Sequence, residues 1–318
     1  MGSESRNRYL LKNTLIFTLG NIGSRMISFF LIPLYTNVLT TSQYGTVDLI
    51  TTISTVAGPM LTLNIAESVM RFGLDKDADK EKNTQCGSIV LLIAMIIGLV
   101  LIPICRCITE VSDYAMYVYF YVISLSASQL FLCDLRGKEL LLKYSLGNIL
   151  QTLMIAILNI TFLLVFKMET GGYLLAYIIA NFIVAIYAII AGKGYKAFSF
   201  HNIDRCKLKE MIRYSVVLIP NTFMWWIMNS SDRVMVTYMI GAAANGIYAV
   251  SYKLPTLVST LTGIFNQAWS YSAIREEGTS DETEYNNKMF KTLSAIAFMM
   301  GIGLLLLTKP FLGVYVAD

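Results

Sequence analysis

The sequence predicts an all-α, polytopic membrane protein with about nine transmembrane helices. Three observations support this fold class. Of the 318 residues, 55% are hydrophobic and only 14% are charged, whereas soluble domains average about 25% charged residues. Windows without charge recur along the chain, each long enough to supply the roughly 20 apolar residues of a bilayer span. The loops between these windows carry Lys and Arg in an asymmetric pattern.

The predicted helices follow these charge-free windows in order. The first two cover residues from about 9 to 38 and about 44 to 72, on either side of a short polar turn. The third to sixth lie between residues 82 and 106, 113 and 134, 143 and 167, and 169 and 193. The remaining three cover about 208–239, 243–273 and 288–307, and the first of them is predicted to be continuous through Asp232 and Arg233.

Positive charges set the predicted orientation, because Lys and Arg concentrate in the cytoplasmic loops of membrane proteins. With the N-terminus in the cytoplasm, most basic residues fall inside, and only Arg106, Lys167 and Lys309 fall clearly outside. The first apolar run is too long for a signal-peptide core and is expected to remain in the protein. We therefore expect a multi-pass protein with a cytoplasmic N-terminus.

The first helix carries the strongest functional signal. Arg25 is the only charge between Lys12 and Asp48. A guanidinium near the middle of a bilayer costs roughly 2.5–3.5 kcal/mol on insertion scales unless it faces protein or water. Arg25 belongs to a polar stripe at helical steps of three and four, formed by Thr14, Thr18, Asn21, Arg25 and Ser28. The stripe predicts a helix that lines a wet, cationic interior.

An internal repeat is indicated by a shift of 201 positions, which places Gly45 on Gly246 at the start of two long apolar runs. The same shift aligns Thr52 with Lys253 and Thr55 with Thr256. This pattern predicts a six-helix lobe over 1–192, a cytoplasmic linker over 193–207 and a partial second lobe of three helices over 208–318.

Two stretches, LIPLYTNVLTTSQYGTVDLI and SSDRVMVTYMIGAAANGIYAVSYKL, carry a family resemblance. The chain resembles the polysaccharide-type flippases of the multidrug/oligosaccharidyl-lipid/polysaccharide exporter superfamily, above all the O-antigen and capsule repeat-unit flippases. The resemblance implies two lobes that face each other across a lumen, with further helices beyond residue 318. It also implies that an undecaprenyl-diphosphate-type lipid-linked oligosaccharide crosses the bacterial plasma membrane by alternating access, with polysaccharide polymerase and chain-length proteins as partners.

Ionisable residues inside apolar helices are the candidate site residues, because burying them is costly. Guanidinium groups bind phosphate oxygens in a bidentate manner, and aromatic rings with amides nearby suit sugars. The expected substrate-binding residues are Asn21, Arg25, Trp226, Asn229, Arg233 and Lys253, and the candidate coupling-ion residues are Asp48, Glu67 and Asp232. Structural readings stay open: either Arg could pair with a carboxylate, Glu67 could pair with Arg71 at the surface, and Asp48 could face water.

Other function classes are less well supported. The chain has no Walker loop, and its single histidine, His201, offers no usual Ser-His or Cys-His pairing in the spans. We expect no enzyme activity, cofactor, metal or nucleic acid. Two alternatives remain: a small-molecule cation exporter of the same superfamily, whose lumen should be acidic, and a membrane-embedded glycosyltransferase, which should have a large outer loop.

Overall fold

The computed structural model describes residues 31–75, 78–107, 111–198, 203–253, 255, 256, 259 and 282–315. These residues form helices and connecting turns, with no β-strand among them, so the all-α prediction is confirmed. The chain divides into two compact units, Met1–Gly246 and Ile247–Asp318, and each is described on its own. The division into lobes at residues 193–207 stays a prediction.

The described part of the first unit begins with three helices, α1 (Ile32–Val38), α2 (Thr41–Leu61) and α3 (Ile65–Gly73). A capping box starts α2. The Thr40 hydroxyl accepts a hydrogen bond from the Gln43 backbone N–H, and the Gln43 side chain accepts one from the Thr40 N–H. Two amide groups that would otherwise lack helical partners are thereby satisfied.

The second predicted span is broken between α2 and α3. The two helices meet at 60°, and Leu63 and Asn64 have left-handed backbone angles, with φ of 51° and 55°. Such angles are uncommon for residues other than glycine. Pro59, just before the break, cannot donate a helical hydrogen bond. The prediction of one continuous helix over about 44–72 is therefore wrong, because its two halves run in different directions.

Four long apolar helices follow: α4 (Lys80–Cys105), α5 (Ala115–Gly137), α6 (Leu141–Ile160) and α7 (Glu169–Ala191). A 3-10 turn, Ser112–Tyr114, leads into α5, and a π-helical turn, Thr161–Val165, extends α6. All four are long and apolar enough to cross a membrane. They match the third to sixth predicted helices.

Helix α8 (Arg205–Met239) is a single continuous helix, which confirms that Asp232 and Arg233 lie within it. Residues 242–246 are again helical. The second unit contains helical residues 247–253 and α9 (Glu282–Tyr315), with an apolar stretch over Phe290–Leu306. In the described part of the chain, four helices and the bent α2–α3 pair qualify as spans. The count of nine spans is not confirmed.

Helices α3, α4, α5, α7 and α8 pack around the core of the first unit. Its most buried side chains include Ile65, Leu130, Leu135, Val184 and Met211. The ends of α3 and α5 approach closely, since a Cβ on Gly73 would lie 2.9 Å from the Cα of Gly137. Small residues at a helix crossing allow such backbone contact in membrane proteins.

Large apolar side chains cover the outer faces of the helices. Ile96 and Val100 on α4 and Ile190 on α7 are all more exposed than buried, at 65%, 71% and 64% of their surface. In a soluble protein, a contiguous surface of this kind would mark an interaction site or cause aggregation. On helices of this length and hydropathy, it is the surface expected to face lipid.

Candidate functional site

A buried ion pair joins α2 to α8. Nη1 of Arg233 donates to Oδ1 of Asp48 over 2.8 Å, and the two side chains are only 14% and 6% exposed. Asn245, beyond the end of α8, donates from Nδ2 to the Gly45 carbonyl over 2.9 Å and to Oδ2 of Asp48 over 3.5 Å. Removing a carboxylate and a guanidinium from water is costly unless they compensate each other. Here the carboxylate of Asp48 and the guanidinium of Arg233 compensate each other.

Two glycines allow backbone contact beside this pair. A Cβ on Gly45 would clash with the carbonyl of Ala242, and a Cβ on Gly246 would clash with the carbonyl of Thr41. The two contacts are reciprocal, because the shift that places Gly45 on Gly246 also places Thr41 on Ala242. Two copies related by a two-fold axis would produce this pattern. The contact supports the proposed duplication, which stays a prediction.

Helix α8 runs antiparallel to α2 and α3 along a line of contacts that we call the α8 seam. From the Asp48–Arg233 pair, the next contact along the seam is Nε1 of Trp226, which donates to the Thr52 carbonyl over 2.9 Å. Nδ2 of Asn64 then donates to Oγ1 of Thr222 over 3.2 Å. Beyond the bend, Oγ of Ser68 donates to the Met211 carbonyl over 3.0 Å. The seam therefore continues past the break and ties α8 to both halves of the bent pair.

A cavity of about 740 Å³ lies between α2–α3, α5, α6 and α8. We call it the amide cavity, because five carboxamide side chains line it: Asn64, Gln129, Asn148, Gln151 and Asn221. Tyr144, Tyr214 and Glu67 also line it. Its volume falls within the range of roughly 300–1,000 Å³ that is usual for small-molecule sites.

One of these amides is held by a buried partner. Nε2 of Gln151 on α6 donates to Oδ1 of Asn181 on α7 over 2.6 Å, and Oγ of Ser128 on α5 lies 3.4 Å from the same oxygen. Asn181 is only 1% exposed. Because buried polar groups are costly without hydrogen bonds, this network fixes the position of Gln151 in the wall of the cavity.

The structure brings together some of the predicted site residues. Arg233 and Asp48 form the buried pair, so Asp48 does not face water, and Trp226 lies two turns away on the seam. Asp232 accepts a hydrogen bond from the Arg233 N–H. Glu67 lines the amide cavity, while Arg71 pairs with Asp75 at 2.6 Å instead of with Glu67.

The other predicted residues are not part of this arrangement. Asn21 and Arg25 lie outside the described residues. Asn229 is exposed, and its Nδ2 donates to the Trp225 carbonyl. Lys253 is half-buried and belongs to the second unit. The substrate and coupling-ion roles of all nine residues stay predictions.

A second buried ion pair was not predicted from the sequence. Nζ of Lys138 donates to Oδ2 of Asp134 over 2.6 Å and to the Gly192 carbonyl over 2.9 Å. Oγ1 of Thr84 donates to the other oxygen of the Asp134 carboxylate. The pair therefore links α4 and α5 to the end of α7. The spacing of four between Asp134 and Lys138 was the available signal.

Comparison with known proteins identifies a family by sequence and a fold by structure. The family model described as polysaccharide biosynthesis protein matches residues 10–274. No curated protein sequence matches significantly. The solved structure of the MATE multidrug transporter DinF-BH in complex with R6G has a TM-score of 0.61 and 15% identity, covering 100% of this chain and 77% of that one. A structure described as protein A has a TM-score of 0.56 and 16% identity, with the same coverage. At these identities, the likeness shows the fold alone.

Proposed function

Because this chain belongs to the polysaccharide biosynthesis protein family, we propose that it is a membrane flippase for a lipid-linked oligosaccharide. Its substrate is an undecaprenyl-diphosphate-type lipid that carries an O-antigen or capsule-type repeat unit. The glycan crosses the bacterial plasma membrane from the cytoplasmic to the outer leaflet. The protein acts as a transporter and catalyses no change of covalent bonds.

The amide cavity is the observation that carries this proposal. A glycan rich in hydroxyl groups cannot enter hydrocarbon unless polar groups replace its water. Carboxamide side chains both donate and accept hydrogen bonds, as sugar hydroxyls do. A cavity of about 740 Å³ with five such side chains, inside a bundle of apolar helices, supplies these groups where a glycan would cross.

The α8 seam supports a mechanism by alternating access. The Asp48–Arg233 pair and the hydrogen bond between Trp226 and Thr52 join α2 to α8 on one side of the cavity. In the proposed cycle α2 and α8 separate, so that the cavity becomes accessible from the side that the seam closes. The guanidinium of Arg233 then becomes available to the diphosphate, to which it can make bidentate hydrogen bonds.

Translocation in proteoliposomes tests the proposal directly. A radiolabelled lipid-diphosphate-linked repeat unit is reconstituted with the full-length protein, and its accessibility to an added glycosidase is followed over time. We expect the protein to expose the inner pool of substrate far faster than protein-free liposomes do. Exposure at the protein-free rate would contradict the proposal.

Export of small organic cations is the second candidate function, and the position of Glu67 favours it. A carboxylate in the wall of a cavity attracts cations, and a MATE multidrug transporter shares the fold. Efflux of a cationic dye from the same proteoliposomes tests this candidate. Dye efflux that depends on Glu67, without movement of the lipid-linked repeat unit, would favour the cation exporter over the flippase.

A further inference from the structure

The charge on the wall of the amide cavity indicates which part of a lipid-linked glycan it accepts. Of the described residues that line it, Glu67 is the only carboxylate, and neither Lys nor Arg is among them. The guanidinium of Arg136 packs on the ring of Tyr144, 5.5 Å from its centroid, but Arg136 is not itself part of the wall. The described part of the wall therefore combines neutral hydrogen-bonding groups with one carboxylate.

This combination suits uncharged sugars. Asn64, at the bend between α2 and α3, and Asn148 and Gln151, both on α6, offer donors and acceptors to hydroxyl groups. Two of them are positioned before any ligand binds: Gln151 by its 2.6 Å hydrogen bond to Asn181, and Asn64 by its bond to Thr222 and its left-handed backbone. Groups that are already positioned lose little freedom on binding.

The same wall disfavours anions. A diphosphate or the carboxylate of a uronic acid would carry negative charge towards Glu67, with no Lys or Arg among the described lining residues to compensate it. Repulsion between like charges grows as the dielectric falls, so it is stronger inside a helical bundle than in water. The diphosphate and any acidic sugar are therefore expected to stay outside this cavity.

We infer that the amide cavity binds the uncharged sugars of the transported glycan and that Glu67 discriminates against acidic sugars. This inference rests on the proposed flippase function and adds a substrate class to it. Glu67 acts here as a specificity-determining residue.

The test compares two substrates that share one lipid diphosphate. One carries a neutral oligosaccharide, and the other carries the same oligosaccharide with one hexose replaced by the corresponding uronic acid. Translocation of each is measured in proteoliposomes with the full-length protein and with Glu67→Gln and Glu67→Asp. The matched control is Glu139→Gln, which removes one negative charge from an exposed position outside the cavity.

We expect the unmodified protein to move the neutral substrate at least about tenfold faster than the acidic one, because repulsion over a few ångströms in protein exceeds what a factor of ten requires. Glu67→Gln should lower the ratio of the neutral to the acidic translocation rate. Glu67→Asp and Glu139→Gln should leave this ratio unchanged. Gln129→Glu adds a second carboxylate to the described wall at an exposed lining position, and it should raise the ratio of the neutral to the acidic rate.

The outcomes separate the inference from the proposed function. Equal rates for the two substrates, or a ratio that neither Glu67→Gln nor Gln129→Glu changes, would overturn the inference while translocation stands. A protein that moves neither lipid-diphosphate substrate would overturn both. If Glu67→Gln does not fold, Gln129→Glu tests the inference alone: a higher ratio of neutral to acidic translocation supports it, and an unchanged ratio overturns it.

Discussion

The carboxylate of Asp48 and the guanidinium of Arg233 meet at 2.8 Å, although 185 positions separate them in the chain. Both side chains are buried, and Asn245 donates to the other oxygen of the Asp48 carboxylate. The pair holds the start of α2 against the end of α8. In the proposed cycle it is a contact that must form and break as α2 and α8 separate.

Removing one member of this pair should destabilise the protein. Asp48→Asn takes away the carboxylate that compensates the buried guanidinium, and such a change typically costs about 3–5 kcal/mol. Thermal unfolding in detergent should show a lower midpoint for Asp48→Asn and for Arg233→Met. The exchanged double variant, Asp48→Arg with Arg233→Asp, should recover part of the loss.

The exposed pair of Arg71 and Asp75 provides the control. Its side chains are 53% and 48% exposed, and solvent and salt screen exposed ion pairs, so they add little to stability. Asp75→Asn should therefore leave the unfolding midpoint almost unchanged. Equal effects of Asp48→Asn and Asp75→Asn would show that the buried pair does not form.

The backbone contact at Gly45 should not tolerate a side chain. Gly45→Ala places a methyl group against the Ala242 carbonyl, and overpacking of this kind costs about 1–3 kcal/mol. We expect a lower unfolding midpoint and slower translocation. Gly301→Ala is the matched control, because a Cβ at Gly301 would meet no atom of the described residues within 4 Å. A Gly45→Ala variant as stable and active as Gly301→Ala would show that this close approach does not occur.

Much of the helical architecture could be predicted from charge and hydropathy. The positions of α4 to α7 follow from windows without charge, and the continuity of α8 through Asp232 and Arg233 follows from the apolar residues after them. The bend at Leu63 and Asn64 could not be predicted in the same way. Asn64 is of a residue type enriched at left-handed angles and Pro59 weakens the helix before it, but Leu63 carries no such signal and the run is otherwise apolar.

The site was predictable residue by residue but not as an arrangement. Asp48, Glu67, Trp226 and Arg233 stand out because polar or bulky amphipathic groups in apolar helices need a partner. The contacts of these residues depend on tertiary packing, because Trp226 and Arg233 bind partners more than 150 positions away in the chain. The amide cavity was missed because its amides are spread over several helices. Asn148 and Gln151, three apart in one charge-free span, were the available signal.

The buried Asp134–Lys138 pair should also contribute to stability. Lys138→Met removes the cation from a carboxylate that is only 4% exposed, at a cost of about 3–5 kcal/mol. Lys82→Met is the control, since Lys82 pairs with Asp79 at the surface, where the two side chains are 50% and 54% exposed. Thermal unfolding should separate the two variants clearly. If they unfold at the same temperature, Asp134 is not a buried structural charge.

The predicted orientation can be tested with the native cysteines. Cys107 and Cys206 are both exposed free thiols, and the positive-charge pattern places them on opposite sides of the membrane. Variants that retain only one of them are labelled with a membrane-impermeant maleimide in intact cells. We expect Cys107 to react from outside and Cys206 to react only after permeabilisation. Reaction of Cys206 in intact cells would contradict the predicted cytoplasmic position of this residue.

The central claim, that the glycan passes through the amide cavity, is tested most directly by blocking the cavity. Gln129→Cys in an otherwise cysteine-free protein places one thiol on its wall, and a bulky maleimide then fills part of the space. Labelling should abolish translocation of the lipid-linked repeat unit, while the same label on a protein that retains only Cys107, outside the cavity, should leave it intact. Undiminished translocation by the labelled Gln129→Cys protein would contradict the claim.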